Sequence, residues 1–242
     1  VDELSRDKTG QIMVRIAELA ERTAAHWNKL LSTLILNGET VACYDGQFFF
    51  DTDHSEGSSG TQSNDITATL ATMPVATGPS LGQPHEPSKE QMAYAILYAV
   101  RQMAGFKDDQ GEPINETMRN FMVMVPTLLQ PAALAAVNSI SFVGGESNII
   151  RASGFNFEVV VNPRLDATWG IATSPEQGQF AVFRTDGNLK PFIAQEEEGV
   201  VMEAIAEGTE YAFLNRKHLY GVSALRNVGY GMWQHSCLVT LN

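Results

Sequence analysis

Cysteine, positive charge and long apolar runs are all scarce in this chain. Its two cysteines, Cys43 and Cys237, have no metal-type spacing and read as reduced, partly buried thiols. Lys and Arg number 16 against 28 Asp and Glu, a formal net charge of −12. That balance argues against a protein that grips nucleic acid through its own phosphate contacts, which needs clustered cations. No apolar run reaches the roughly eighteen residues of a membrane span, and no secretory signal is visible. Neither a phosphate-binding G-x-x-x-x-G-K-[ST] loop nor a dinucleotide-type G-x-G-x-x-G is present in a strand-to-helix context, Gly144-Gly145 being a plain loop pair. His85, His218 and His235 lack a Ser or Cys partner at motif spacing, and the last two are expected on strands. Charged residues make up only 18% of the chain. Soluble domains average about 25%, so partners are expected to cover part of this surface.

What is present supports a core. Apolar residues make up 44% of 242, enough for one large domain or two lobes. Ile12, Ile16, Leu19, Thr23, Trp27, Leu30 and Leu34 recur at three- and four-residue steps and predict one long helix over 5–37. At 1.5 Å per residue it is a rod of about 45–50 Å, and Asn37-Gly38 stops it through a left-handed glycine. Asp45-Gly46 between apolar runs predicts a hairpin turn. Residues 51–65 and 72–87 read as loops. Ser88 and Gln91 form a capping box for a helix over 89–104, with Met92, Ile96, Ala99, Val100 and Met103 inward. Phe121–Val125 reads as a buried strand, and Thr127 with Gln130 as the cap of a helix running through Pro131 to Asn138. Phe155, Phe157, Val159 and Val161 alternate as a strand with one wet face. Further strands are expected around 168–173 and 179–184. Segments 209–225 and 227–241 are expected to pair as long antiparallel strands. Near the end, Gly229 and Gly231 leave one strand face bare, a sign of twist or of a second backbone close by. Helices and strands are segregated along the chain, which favours an α+β fold.

One cluster has enzyme-like chemistry. Asp51, Asp53 and His54 lie close enough in sequence for a metal-dependent hydrolase, although carboxylates in such a loop ordinarily accept backbone hydrogen bonds. No catalytic set, cofactor site or metal set with specific spacing is otherwise found.

Two segments carry a family resemblance. Tyr44-Asp45-Gly46, Phe48-Phe49-Phe50 and His54 match one run; Leu219-Tyr220-Gly221-Val222, Arg226-Asn227-Val228-Gly229 and Gly231-Met232-Trp233-Gln234 match another. Together they resemble the Mu-type phage major head subunit (gpT) family. The resemblance implies the Hong Kong 97-type capsid fold, a structural role without enzymatic activity, and no cofactor. It implies a peripheral (P) domain from 1–65 and 196–242, built on the spine helix and the closing strands, and an axial (A) domain from 66–195. The N-terminal arm and extended loop of such proteins are not found, and the start at Val1 is taken as the mark of a segment outside this sequence. The implied function is self-assembly, as hexamers and pentamers, into an icosahedral virion shell around double-stranded DNA. Scaffold, maturation protease, portal and a decoration protein are the implied partners, with assembly in the host bacterial cytoplasm. A cellular nanocompartment shell is the same-fold alternative. An acidic inner wall would leave packaged DNA free to slide. Glu196, Glu197 and Glu198, and Arg216, Lys217 and Arg226, are either ordinary solvated charges or inter-subunit contacts, the cations pairing with Glu203, Glu207 or Glu210 of a neighbour.

Overall fold

A computed structural model describes residues 10–73, 86–142, 145–170, 178–205, 208–215 and 219–242. The chain divides into two compact units, one of residues 1–33 with 194–229 and the other of 34–193 with 230–242. No helix among the described residues is long and apolar enough to cross a membrane.

In the first unit the expected long helix is present as α1 (Gln11–Ala24), continued by α2 (His26–Leu36), which runs on into the second unit. Only Ala25 interrupts them, and it keeps right-handed angles (φ −65°, ψ −10°). Residues 5–9 of the expected helix lie outside the described residues. The stop at Gly38 works differently from the expectation. Gly38 is absent from the positive-φ glycines; instead, a Cβ there would lie 2.5 Å from Phe50 Cδ2, so the missing side chain admits the Phe50 ring.

The second unit holds a five-stranded mixed sheet in the order β1-β7-β4-β2-β3. Its strands are β1 (Asp65–Ala68), β2 (Asn120–Val125), β3 (Asn156–Val161), β4 (Gly178–Arg184) and β7 (Ser236–Leu241). β1 runs parallel to β7, β2 parallel to β3, and β4 antiparallel to both of its neighbours. Between β1 and β2 lies α3 (Lys89–Ala104), whose inward stripe is the expected one, Met92, Ile96, Ala99, Val100 and Met103 all being buried. Its capping box is complete, with Gln91 N–H donating to Ser88 Oγ at 3.1 Å and Ser88 N–H to Gln91 Oε1 at 2.9 Å. Ser88→Ala removes one half of that exchange and is expected to cost about 1 kcal/mol in urea unfolding; an unchanged midpoint would show that the cap is idle.

Three expectations are corrected here. Thr127 does not cap α4 (Gln130–Asn138): its N–H and hydroxyl both donate to the Asp166 carboxylate, at 2.7 and 2.6 Å, and the helix begins after a 3₁₀ turn. The strand expected around 168–173 is, over its described part, the end of a short helix Asp166–Trp169; Trp169 is buried there, and residues 171–173 lie outside the described residues. The closing segments do not pair with each other. β5 (Phe192–Ile205) pairs with β6 (Leu219–Tyr230), α5 (Glu210–Asn215) lies between them in sequence, and β7 instead enters the large sheet. Alternation along a strand states which face is buried and is silent about the partner.

The bare strand end has its reason at Gly231. A Cβ there would lie 2.2 Å from Lys190 O, and the backbones join through Gly231 N–H to Pro191 O (2.8 Å) and Met232 N–H to Lys190 O (3.1 Å). Gly221 and Gly229 face open space.

Candidate functional site

The first matching run and the end of the other, residues 231–234, meet in the second unit. Tyr230 stacks on Phe49 with ring centroids 4.6 Å apart, and its hydroxyl donates to Leu34 O at 2.7 Å. Phe192 joins them, 5.2 Å from Phe49, and touches Phe183 at the same separation. Gln234 Nε2 donates to Tyr44 Oη at 2.9 Å. His54, fully buried, lies flat on Trp233 with centroids 3.9 Å apart and planes 7° from parallel. The Tyr-Asp-Gly turn forms as expected, with Cys43 N–H donating to Gln47 O at 2.7 Å and Gly46 at φ +89°.

The residue sequence reasoning missed is Asn64. It is fully buried, accepts Asp51 N–H on Oδ1 (2.9 Å) and donates through Nδ2 to Phe49 O (2.8 Å). An Asn between Ser63 and Asp65 looks like any turn residue, and nothing in the local pattern marks it as a hub.

Asp51, Asp53 and His54 do not form the hydrolase constellation. Asp51 accepts N–H groups of Phe48 (3.2 Å) and Thr52 (2.7 Å), and Asp53 is exposed. His54 turns away from both, placing Nδ1 at 2.7 Å from Asp45 Oδ2 and Nε2 at 3.2 Å from Asn64 Oδ1. Cys43 donates its thiol to Asp45 Oδ1 at 2.9 Å. Burial and that bond push the Cys43 thiol up to about 12. Burial acts to raise Asp45 as well, but the bonds from Cys43 and His54 outweigh it and hold the carboxyl below its ordinary value. His235 is not on a strand but in the 3₁₀ turn before β7; its Nδ1 lies 3.2 Å from Leu189 O, and burial, then Arg184, pulls its pKa down. His85 and His218 lie outside the described residues. Cys237 is buried and unpaired, as is fitting for a reduced thiol.

The first unit carries the expected contact residues. Glu196, Glu197 and Glu198 are all exposed on β5. Arg216, Lys217 and Glu207 lie outside the described residues. Arg226 is half-buried on β6, along the face that Val222, Ala224 and Val228 share. Its Nε donates to His26 Nδ1 at 3.0 Å, another of its nitrogens donates to Thr23 O, and its guanidinium carbon lies 5.0 Å from the Trp27 ring centre. It therefore lands where α1 loosens at Ala25, satisfying a carbonyl of the last turn. A shallow groove of about 300 Å³ opens beside it, lined by Arg22, Thr23, His26, Val222, Ala224 and Arg226.

The model of the Mu-like prophage major head subunit gpT matches residues 1–75 and 171–240. The chain belongs to that family. This head subunit is thus a structural protein, a major capsid protein. Two solved capsids share its fold. The mature capsid chain of bacteriophage PhiM1 is 15% identical at a TM-score of 0.51, with 100% of the head subunit and 67% of that chain covered. The capsid chain of cyanophage P-SCSP1u is 13% identical at a TM-score of 0.55, with 99% and 68% covered. These likenesses bear out the expected Hong Kong 97-type α+β fold. The head subunit spans about two thirds of the length of each of these chains. A comparison with curated proteins finds no match.

Proposed function

We propose that this chain tiles a closed icosahedral shell around a double-stranded phage genome, as hexamers and pentamers of itself. The observation that carries the reading is the β5–β6 ribbon. Among the described residues it is a sheet of two strands, and from Ile193 to Ile205 every residue of β5 is exposed. Isolated two-stranded ribbons are marginal in water. This one also shows Val200, Val201, Met202, Leu219, Tyr220 and Leu225 to solvent. Successive strand residues point to opposite faces, so the Val200-Val201-Met202 run makes both faces apolar. Head-to-tail contacts that close by rotation would cover such surface and generate rings. The same proposal includes virion location, assembly in the host bacterial cytoplasm, absence of enzymatic activity, and a scaffold, maturation protease, portal and decoration protein as partners; family membership supports it. The P-domain of 1–65 with 196–242 and the A-domain of 66–195 belong to the same proposal. The net charge of −12 suits a wall that holds DNA without gripping it.

Electron microscopy of the full-length protein produced with its scaffold tests the reading: closed particles of uniform diameter are expected, and a persistent monomer overturns it. Replacing Glu196, Glu197 and Glu198 together by Gln is expected to raise the concentration needed for assembly while leaving the melting temperature of the free subunit unchanged, as exposed charges contribute little to folding. Assembly at the wild-type concentration would remove this run from the contact surface.

A further inference from the structure

Beneath Trp233 three ligand-type side chains meet. Cys43 Sγ, one Asp45 carboxylate oxygen and a His54 ring nitrogen all lie within 4.8 Å of one another. The side chains of His54 and Asp45 are 0% and 3% exposed. Asn64 fixes the polarity of the group. Its amide is oriented by Asp51 N–H on one side and Phe49 O on the other, so the atom facing His54 Nε2 is an oxygen. Nε2 therefore carries a proton and donates it outward. A ring N–H held by a carbonyl is what orients a metal-ligating histidine and leaves its other nitrogen for the ion.

That other nitrogen, Nδ1, faces Asp45 Oδ2 at 2.7 Å. Two bare acceptors repel at this distance, so a hydrogen or a cation lies between them. Cys43 repeats the pattern on the opposite oxygen, at 2.9 Å. One carboxylate is thus flanked by two protons, one on nitrogen and one on sulfur. A divalent cation can take the place of those two hydrogens, with Nδ1, Sγ and one carboxylate oxygen as its ligands.

We propose that Cys43, Asp45 and His54 form a binding site for a thiophilic divalent cation of the zinc class, held by Sγ, one carboxylate oxygen and Nδ1. Sulfur and nitrogen donors select this class over calcium and magnesium, which take oxygen. Zinc–sulfur and zinc–nitrogen bonds of about 2.3 and 2.0 Å place tetrahedral ligand atoms about 3.5 Å apart, so the Asp45 carboxylate retreats by less than about 1 Å. The ion would tie the hairpin turn to the loop that follows it, a structural role.

The test uses full-length protein stripped with a chelator and titrated with Zn²⁺ or Co²⁺. One Zn²⁺ retained per chain after desalting, a raised melting temperature, and a sulfur-to-metal charge-transfer band with Co²⁺ are expected. Cys43→Ala, at a half-exposed position, abolishes the band with the far-ultraviolet circular dichroism intact; Cys237→Ala and Asp53→Asn retain it. Substoichiometric Zn²⁺ in the wild type, or a band that survives Cys43→Ala, overturns the site. X-ray absorption at the zinc edge of the wild type decides without any variant: one sulfur with nitrogen and oxygen neighbours supports the site, and a shell without sulfur ends it.

Discussion

Asp186→Ala is expected to lower the unfolding free energy by about 3 kcal/mol, the scale of breaking a largely buried ion pair from one side. For a chain of this size that is a fall in melting temperature of about 6–12 °C. Asp186 Oδ1 accepts Arg184 Nε at 2.5 Å, while Oδ2 takes Arg119 N–H (2.5 Å) and Asn120 N–H (3.1 Å). The same Arg184 donates to Asn115 Oδ1 at 3.0 Å and Thr117 Oγ1 at 3.1 Å, and its side chain is 7% exposed. One carboxylate thus anchors the start of β2 to the end of β4 and neutralises a buried guanidinium. Its loss leaves that charge unpaired. Adding Arg184→Met to Asp186→Ala removes the orphaned charge, so the double variant is expected to lose at least about 1 kcal/mol less than the two single losses added together. Strict additivity would show the pair to be uncoupled. Burial acts to raise the Asp186 pKa, but Arg184 and the two backbone donors outweigh it and hold the carboxyl below its ordinary value. A depressed folded value means stability that is present above the unfolded value near 4 and lost as pH falls through the folded one. The gap between wild type and Asp186→Ala should therefore narrow as urea midpoints are followed from about pH 5 downward.

Gly231→Ala is expected to cost about 2–3 kcal/mol, the upper range for forcing a methyl group into occupied space. The obstacle is a carbonyl oxygen at 2.2 Å, and moving it breaks the two backbone hydrogen bonds that join 190–191 to 231–232. Gly229→Ala and Gly221→Ala, in the same run, meet nothing within 4 Å and should stay within about 0.5 kcal/mol of wild type. Equal losses at all three positions in thermal unfolding would mean that strand propensity, not the close backbone, governs this segment.

Where local chemistry decided structure, the sequence was readable. Ser88, Gln91 and the 3.6-residue stripe of α3 specify a helix without reference to anything distant. Asp45-Gly46 set its turn in the same way. Distant partners were not readable. Thr127 has the spacing of a cap, yet Asp166 offers it a charged acceptor, which a nearby Gln side chain cannot match. β1 has four residues, too few for a period, and is a strand because β7 lies beside it. His54 was grouped with the wrong carboxylates. Asp51 and Asp53 are its neighbours in sequence, whereas Asp45 reaches it only because the hairpin folds the chain back. Asn64 gave no signal at all, since burial is what turns an ordinary turn residue into the hub of a network.

The position of β7 has a consequence for biosynthesis. It lies between β1 and β4, so before residues 236–241 leave the ribosome β1 has no neighbour in the sheet and β4 has an open edge. A prematurely terminated chain is then not a slightly smaller copy but one whose central sheet never closes. Strand order thereby makes the last six-residue strand the piece that joins β1 to the rest of the sheet.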